Sequence, residues 1–446
     1  MISHLTNGSE SQRYRGDATR RISYHLTLTL SWKERELWPK FSRLLSVVCY
    51  VRCLSSDLSP VLLAGAAMLS MRVMVRDREE RIRRAARRIG FTLCGFARLE
   101  PVAHAEFLRQ WLAAGNAASM SYIERGLARR LDPRLILPTA RTIITVGFRY
   151  RPPPQPPIAW RALLRGRIAA YALGTDYHLT VEAKLRELAT DISRDYPTVT
   201  CRPYVDTGAV LEREWAANGG VGWFGKNTNI LHTEEGSYFF LGELLTDLEC
   251  APDPPLADHC GTCTRCLALC PTGALEPGYL LDARRCISYW TIEHRGVIPT
   301  AMRAQLGPWI FGCDVCQEVC PWNEKLARDR GTPSSDELMP YLPDLLALDD
   351  VGFRQRFARS ALRRAKRDGL VRNVAVALGN TGNPAAVVPL ACAMTCDPSA
   401  LVRAHAAWAL GTIGDAPARQ ALQAARCREP DETVRTEITA ALESSG

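Results

Sequence analysis

No uninterrupted apolar run in this 446-residue chain reaches the ~18–20 residues that a bilayer span requires. The most apolar early stretch, Leu44 to Met74, is broken by Arg52, Ser55, Ser56, Asp57 and Pro60, so no transmembrane anchor is expected. Met1 to Arg20 is polar and has no apolar centre of the kind a secretory signal needs. Three cofactor signatures are also missing. There is no G-x4-G-K-[ST] to cradle nucleotide phosphates, no C-x3-C-x2-C for radical chemistry with S-adenosylmethionine, and no D-x-H-x-x-G to offer cobalamin a lower histidine ligand. Asp176-Tyr177-His178 begins the last of these, but Val181 stands at its glycine position. Gly220, Gly222, Gly225 and Lys226 imitate a dinucleotide fingerprint. That fingerprint needs a strand before it and a helix after it. Here a helix is expected before it and Trp223 and Phe224 sit inside, so the Rossmann reading is rejected. Close backbone approach to a large flat cofactor is kept as the role of these glycines.

Cysteine is abundant: the chain has 16. Disulfide-dense proteins are short and secreted, whereas a long chain with clustered cysteines points to metal ligation in a reducing, cytoplasmic setting. The net charge of +9 suits a polyanionic partner such as nucleic acid. With 47% hydrophobic residues there is material for a sizeable core, divided among several domains.

Cys260, Cys263, Cys266 and Cys270 are spaced C-x2-C-x2-C-x3-C and followed by Pro271, the run of bacterial ferredoxins. In that run the first three thiolates hold three corners of one cubane and the fourth ligates a second cluster. Cys313, Cys316 and Cys320 form a second run, again followed by proline, and Cys286 stands alone between the two. The expected sets are Cys260, Cys263, Cys266 and Cys320 for one [4Fe–4S] cluster, and Cys270, Cys286, Cys313 and Cys316 for the other. Four-cysteine zinc sites also use C-x2-C pairs and are the alternative. The remaining cysteines (49, 53, 94, 201, 250, 392, 396 and 427) show no such pattern, and most are read as ordinary small hydrophobes. Two clusters only carry electrons, so a further redox centre is expected in the domain before them.

Apolar spacing predicts a helix from Asp77 to Gly90, with Ile82, Ala85, Ala86 and Ile89 on one face. A strand follows over Phe91 to Phe96, a helix over 104–114, a buried strand over Thr142 to Phe148, and a helix over Tyr177 to Tyr196. Arg151 to Pro157 is a stiff proline-rich connection. The alternation suggests an α/β domain over 71–250, then a ferredoxin-like two-cluster domain over 251–330 and an all-α domain over 331–446. Residues 1–70 look unlike the rest and are expected to lie outside the core, either as an unstructured extension or through a wrongly chosen start, since Met71 or Met74 would begin a well-formed helix. Val371-Arg372-Asn373, Val402-Arg403-Ala404 and Val434-Arg435-Thr436 recur at spacings of 31 and 32, each opening an Ala/Leu-rich helix. That period marks stacked helix pairs of the HEAT type.

Asp206 ends an apolar run at a Thr-Gly turn. It can be the N-cap of the helix that follows, or project into a pocket and give up a proton.

Together these motifs resemble the epoxyqueuosine reductase family. The matching residues are Tyr171 to His178, Asp206-Thr207-Gly208 with Glu212-Arg213, Gly222 to Asn227, the first cysteine run, Cys286 to Tyr289, and Cys313 to Cys316 through Cys320 to Asn323. The resemblance spans roughly 75–330, and the helical repeats extend it to the end. The family usually has proline after Asp-Ser/Thr-Gly, where this chain has Ala209. The resemblance implies reduction of an epoxide on a modified wobble base of transfer RNA to an alkene, the last step of queuosine biosynthesis. It implies cobalamin held without a lower axial ligand, fed with electrons by the two clusters. Asp206 aligns with the proton donor, a role that requires burial or a neighbouring group to raise its pKa toward neutrality. Corrin contacts are implied near Arg130, Tyr171, Asp206, Ile230, Ser288 and Asp314. The partners implied are the anticodon stem-loop and an external donor such as ferredoxin or flavodoxin, with the enzyme a monomer. Arg363, Arg364, Lys366 and Arg367, with Arg372 and Arg403, are expected to meet phosphates, and Tyr289 or Trp290 to stack on unpaired bases. Two rival readings are a corrinoid iron–sulfur reductive dehalogenase and a ferredoxin-like carrier with a protein-binding repeat domain.

Overall fold

The computed structural model describes residues 77–150, 159–324, 326 and 335–444. The extension over 1–70 and the proline-rich connection lie outside the described residues. The first helix (α1, 77–89) buries Ile82, Ala85, Ala86 and Ile89, as their spacing predicts, and stops at Gly90, whose φ of +105° is open to glycine.

Four strands follow: β1 (Leu93–Arg98), β2 (Thr142–Arg149), β3 (Cys201–Tyr204) and β4 (Phe239–Thr246). They form one sheet in the order β1-β2-β4-β3, with every pair antiparallel. This corrects the α/β expectation. Helices and strands do alternate, but neighbouring strands of this sheet run in opposite directions, so among the described residues it contains no parallel crossover unit.

Strand alternation sorts the two faces. Ile144, Val146 and Leu244 join Val181, Leu185, Leu188 and Ile192 of a long helix (α2, Tyr177–Asp195) and the buried stripe of α1. Ile143 and Leu245 point the other way and pack on Trp215 of a short helix (α3, Glu212–Asn218). Thr145 and Glu243 share that second face and pair directly, with Tyr204 opposite Glu243 on its other side.

The cysteine-rich segment is made of short pieces, among them the single helical turns Arg265–Ala268 and Val315–Glu318 that carry Cys266 and Cys316. Trp309–Phe311 pairs in parallel with Arg167–Ile168, which ties this segment to the chain before it. Among the described residues the C-terminal repeats are built on five helices, α4 (Lys366–Thr381), α5 (Val387–Cys396), α6 (Ala400–Ile413), α7 (Ala416–Arg426) and α8 (Glu432–Ser444). The repeated valines, Val371, Val402 and Val434, are all fully buried. The repeat also allows close stacking: a Cβ on Gly379 would lie 2.8 Å from the Ala409 backbone. The described residues belong to one compact unit. Its largest apolar cluster runs from Leu164 and Ile168 through Ile310 and Leu342 into the repeats, so the expected segments share a core.

Candidate active site

Cys260, Cys263, Cys266 and Cys320 line one cavity of about 230 Å³, walled by Leu231 and Trp322. These four thiols come from two runs more than forty residues apart, as the exchanged-ligand spacing predicts. Lys226 Nζ donates to the carbonyls of Gly261 (2.6 Å) and Cys263 (3.0 Å) and so fixes the first cysteine loop. Among the described residues no three His, Cys, Asp or Glu converge on a single-ion site. Thiols spread around a cavity fit a polynuclear cluster.

Cys270, Cys286, Cys313 and Cys316 line a second, much larger cavity of about 1160 Å³. That volume exceeds the ~300–1,000 Å³ usual for small-ligand pockets and suits a cofactor of corrinoid size. Tyr171, Asp206, Ile230, Ser288 and Asp314 all line it. Asp314 is buried, and its Oδ2 accepts the Ala170 N–H at 2.6 Å. His178 is the one histidine among the described lining residues, and both its ring nitrogens are engaged by carboxylates. A group without a lower histidine ligand fits this lining. Arg130 is the exception among the expected contacts: it lines an adjoining recess, and its NH1 meets the carbonyls of Gly208 and Val210 at 3.4 Å.

Asp206 sits beyond the end of β3 in the left-handed region, at φ +54°. It is not an N-cap, because the helix it precedes starts at Glu212 with Leu211 as cap. Its N–H donates to Glu212 Oε1 instead. Its side chain is 57% exposed and faces the cavity. His178 Nε2 lies 3.2 Å from Asp206 Oδ2, while His178 Nδ1 lies 2.7 Å from Oδ1 of Asp176, the N-cap of α2. The imidazole therefore bridges two carboxylates. Burial works against its charge, but hydrogen bonds to Asp206 and Asp176 outweigh it and raise the His178 pKa. Burial likewise pushes Asp206 up, but the bond and charge of His178, the Arg364 cation and a hydrogen bond from Tyr177 leave it below the ordinary value. The expected rise in the Asp206 pKa is not found, and His178 holds the proton of the pair. Sequence reasoning passed over this residue; its signal was Asp176-Tyr177-His178, set aside as an incomplete motif.

The family profile for the 4Fe-4S double cluster binding domain matches residues 259–323, which settles the zinc alternative in favour of iron–sulfur. The profile Epoxyqueuosine reductase QueG matches 130–207, and that for HEAT repeats 355–443. The epoxyqueuosine reductase of Xanthomonas campestris is 41% identical over 345 residues, covering 76% of this chain and 97% of its own. That of Cellulophaga algicola is 40% identical over 303 residues, covering 66% and 95%. The chain belongs to the epoxyqueuosine reductase family. A crystal structure of an epoxyqueuosine reductase with an epoxyqueuosine-modified tRNA-Tyr stem loop matches with a TM-score of 0.77 and 32% identity, over 83% of this chain and 99% of that one. A Bacillus subtilis epoxyqueuosine reductase, caught with its catalytic loop swung out of the active site, matches at 0.76 and 30%, over 83% and 99%.

Within this family member several expected residues turn out to be structural. Arg367, expected on RNA phosphates, is only 7% exposed and paired with buried Asp397. Arg372 is fully buried and donates to the carbonyls of Trp290, His294 and Gly296. Arg403 is paired with Glu429 and tied to the carbonyls of Asp397 and Pro398. These arginines connect repeats to each other and to the cluster segment. Trp290, expected to stack on bases, is buried in the cluster around Ile287 and Trp309, whereas Tyr289 joins that cluster and also lines the large cavity. Arg363, Arg364 and Lys366 do line the large cavity and are exposed. Arg364 makes a two-bond pair with Glu293 at 3.0 Å. The glycines before the clusters serve packing: a Cβ on Gly222 would come within 2.4 Å of the Leu231 carbonyl. Of the cysteines outside the two sets, Cys250 is buried, whereas Cys392, Cys396 and Cys427 are exposed.

Proposed function

We propose that this chain reduces epoxyqueuosine to queuosine at the wobble position of transfer RNA, with Asp206 and His178 as its acid couple. The observation that carries the reading is one cavity joining four cluster thiols, a carboxylate–imidazole pair and exposed arginines within a chain of this family. Cobalamin held against the Cys313–Cys316 loop, with two [4Fe–4S] clusters, would supply the two electrons.

Cys260, Cys263, Cys266 and Cys320 would hold the outer cluster, and Cys270, Cys286, Cys313 and Cys316 the one beside the large cavity. The corrin would contact Tyr171, Ile230, Ser288 and Asp314, with Arg130 acting through the Asp206 loop. Opening an epoxide leaves an alkoxide, which needs one proton to become a hydroxyl and a second before its oxygen can depart as water. Asp206 faces the cavity and His178 carries the proton behind it, so the couple delivers acid at neutral pH although the carboxylate alone is ionised. Asp176 orients the ring. Exposed Arg363, Arg364 and Lys366 would draw the anticodon stem-loop phosphates to the site. We also assign the reaction to the cytoplasm, with a single chain as the working unit and a ferredoxin or flavodoxin as electron source.

Asp206→Asn tests the role of the couple. The variant is expected to retain about eight iron and one cobalt per chain, as two cubanes and one corrinoid require, and to lose turnover on epoxyqueuosine-bearing transfer RNA. Full turnover would remove Asp206 from the mechanism. Iron without cobalt in the wild type, prepared with cobalamin supplied, would return the chain to the electron-carrier reading.

A further inference from the structure

Turning an epoxide into an alkene breaks two carbon–oxygen bonds and releases the oxygen as water. The change consumes two electrons and two protons. The reductive chemistry supplies the electrons, but the Asp206–His178 couple holds one proton. The second must reach the same cavity while transfer RNA covers it.

Behind Asp206 lies a group that this mechanism does not use. Glu243 is in the middle of β4, at the centre of the sheet, and is 0% exposed. Among the described residues neither of its carboxylate oxygens meets a hydrogen-bond donor. Its carboxyl faces that of Glu212. Glu212 in turn accepts the Asp206 N–H and opens on the same cavity as Asp206. Thr145, beside Glu243 on the same sheet face, also has a buried hydroxyl without a partner among the described residues. A bare carboxylate at such a position is very costly, and two facing carboxylates more so. The arrangement is stable when the two carboxyls share a proton.

We propose that the Glu212–Glu243 pair stores the second proton of the reaction and passes it through Glu212 to the Asp206–His178 couple after the first has been spent. Glu212 and Glu243 are relay residues, one step removed from the substrate. The inference rests on the assignment of Asp206 as the acid. Among the described residues the charged and titratable groups around the pair include Asp206, Arg213, Tyr177 and, on the neighbouring strand, Tyr204. Burial and the Asp206 charge push Glu212 up to about 7, with Arg213 opposing. Burial and Glu212 push Glu243 further still. Both carboxyls are therefore protonated below about 7; as pH rises through that value Glu212 gives up its proton first, while Glu243 keeps the one that remains. Glu212 opens on the cavity, so the pair refills from solvent once product leaves.

The test compares the holoenzyme with the double variant Glu212→Gln/Glu243→Gln. Two facing amides can hydrogen-bond each other, and the Gln carbonyl can still accept the Asp206 N–H, so packing is retained while the shared proton is removed. The double variant is expected to keep iron, cobalt and the KM for transfer RNA. Its kcat at pH 7 is expected to fall at least about ten-fold, within the range of a lost proton-transfer group, with a larger solvent deuterium isotope effect. Wild-type kcat and isotope effect in the variant would overturn the relay. If Asp206→Asn is inactive in the same assay, the acid couple stands and only the relay falls. Infrared pH titration of the wild type is a second measurement that needs no variant. A buried protonated carboxyl should titrate near neutrality, and the band should be absent from the Glu212→Gln protein. Failure to find it overturns the proposal even if the double variant does not load its cofactors.

Discussion

Replacing His178 by asparagine gives the sharpest test of where the acid couple keeps its proton. In the wild type His178 is raised and Asp206 lowered, so the pair carries one proton on the imidazole. That proton is present below the His178 pKa, which lies above the ordinary ~6.5, and is lost as pH rises through it. The couple should therefore sustain turnover through neutrality and fail on the alkaline side. The amide of the His178→Asn variant cannot carry the proton, which must then sit on Asp206 alone. A carboxyl with an ordinary pKa near ~3.9 is protonated in about one molecule in a thousand at pH 7. Burial raises Asp206 once its cation is gone, so the expected loss in kcat is ~10²–10³-fold, within the range of a general acid. The loss should shrink about ten-fold for each unit that pH is lowered, until Asp206 itself is protonated. The assay is kcat against pH on epoxyqueuosine-bearing transfer RNA, with KM and metal content measured alongside. The substitution should leave KM and both cofactors unchanged, because the hydrogen bonds of the ring go to Asp176 and Asp206 and its face stacks on Tyr177. A variant with wild-type kcat and an unmoved alkaline limb would refute the couple and return the proton to Asp206 alone.

Cys320→Ala should lower iron from about eight to about four per chain, because it removes a corner of one cubane only; loss of all iron would refute the division of cysteines between two cavities. Arg364→Ala should weaken transfer RNA binding and reduce the slope of log affinity against log salt by about one, and an unchanged slope would remove it from the phosphate contacts. Arg367→Ala should leave that slope alone and destabilise the repeats by ~3–5 kcal/mol in thermal or denaturant unfolding, the cost of stranding a buried partner such as Asp397.

Covalent and periodic constraints were legible in the sequence. Cluster thiols must recur at fixed spacing, so the division of eight cysteines into two sets could be read directly, and the structure gathers the same sets around two cavities. The repeated valines of the helical domain could be read because burial at a period near 32 leaves a pattern. Strand direction could not. An antiparallel sheet and a parallel one both alternate with helices in sequence, and only the ladder pairing of Thr145 with Glu243 and of Glu243 with Tyr204 reveals the order.

The arginines show why charge is harder to read than spacing. Arg364 and Arg367 are three residues apart and look alike in sequence, yet one faces the cavity and the other is sealed against Asp397, thirty residues on. Whether a basic side chain is free for RNA depends on a carboxylate that sequence distance hides. The same holds for acids. Asp206 was conspicuous because it ends a strand at a turn. The groups that set its chemistry, His178 and Glu212, come from two other helices, and Glu243 comes from a central strand of the sheet. A carboxylate in the middle of β4 reads in sequence as an interruption of Phe-Phe-Leu-Gly-Glu-Leu-Leu, a flaw in a buried strand. Its cost to the fold is the physical reason to assign it work: a sheet would lose nothing by replacing Glu243 with leucine, whereas a reaction that needs a second proton would lose its store.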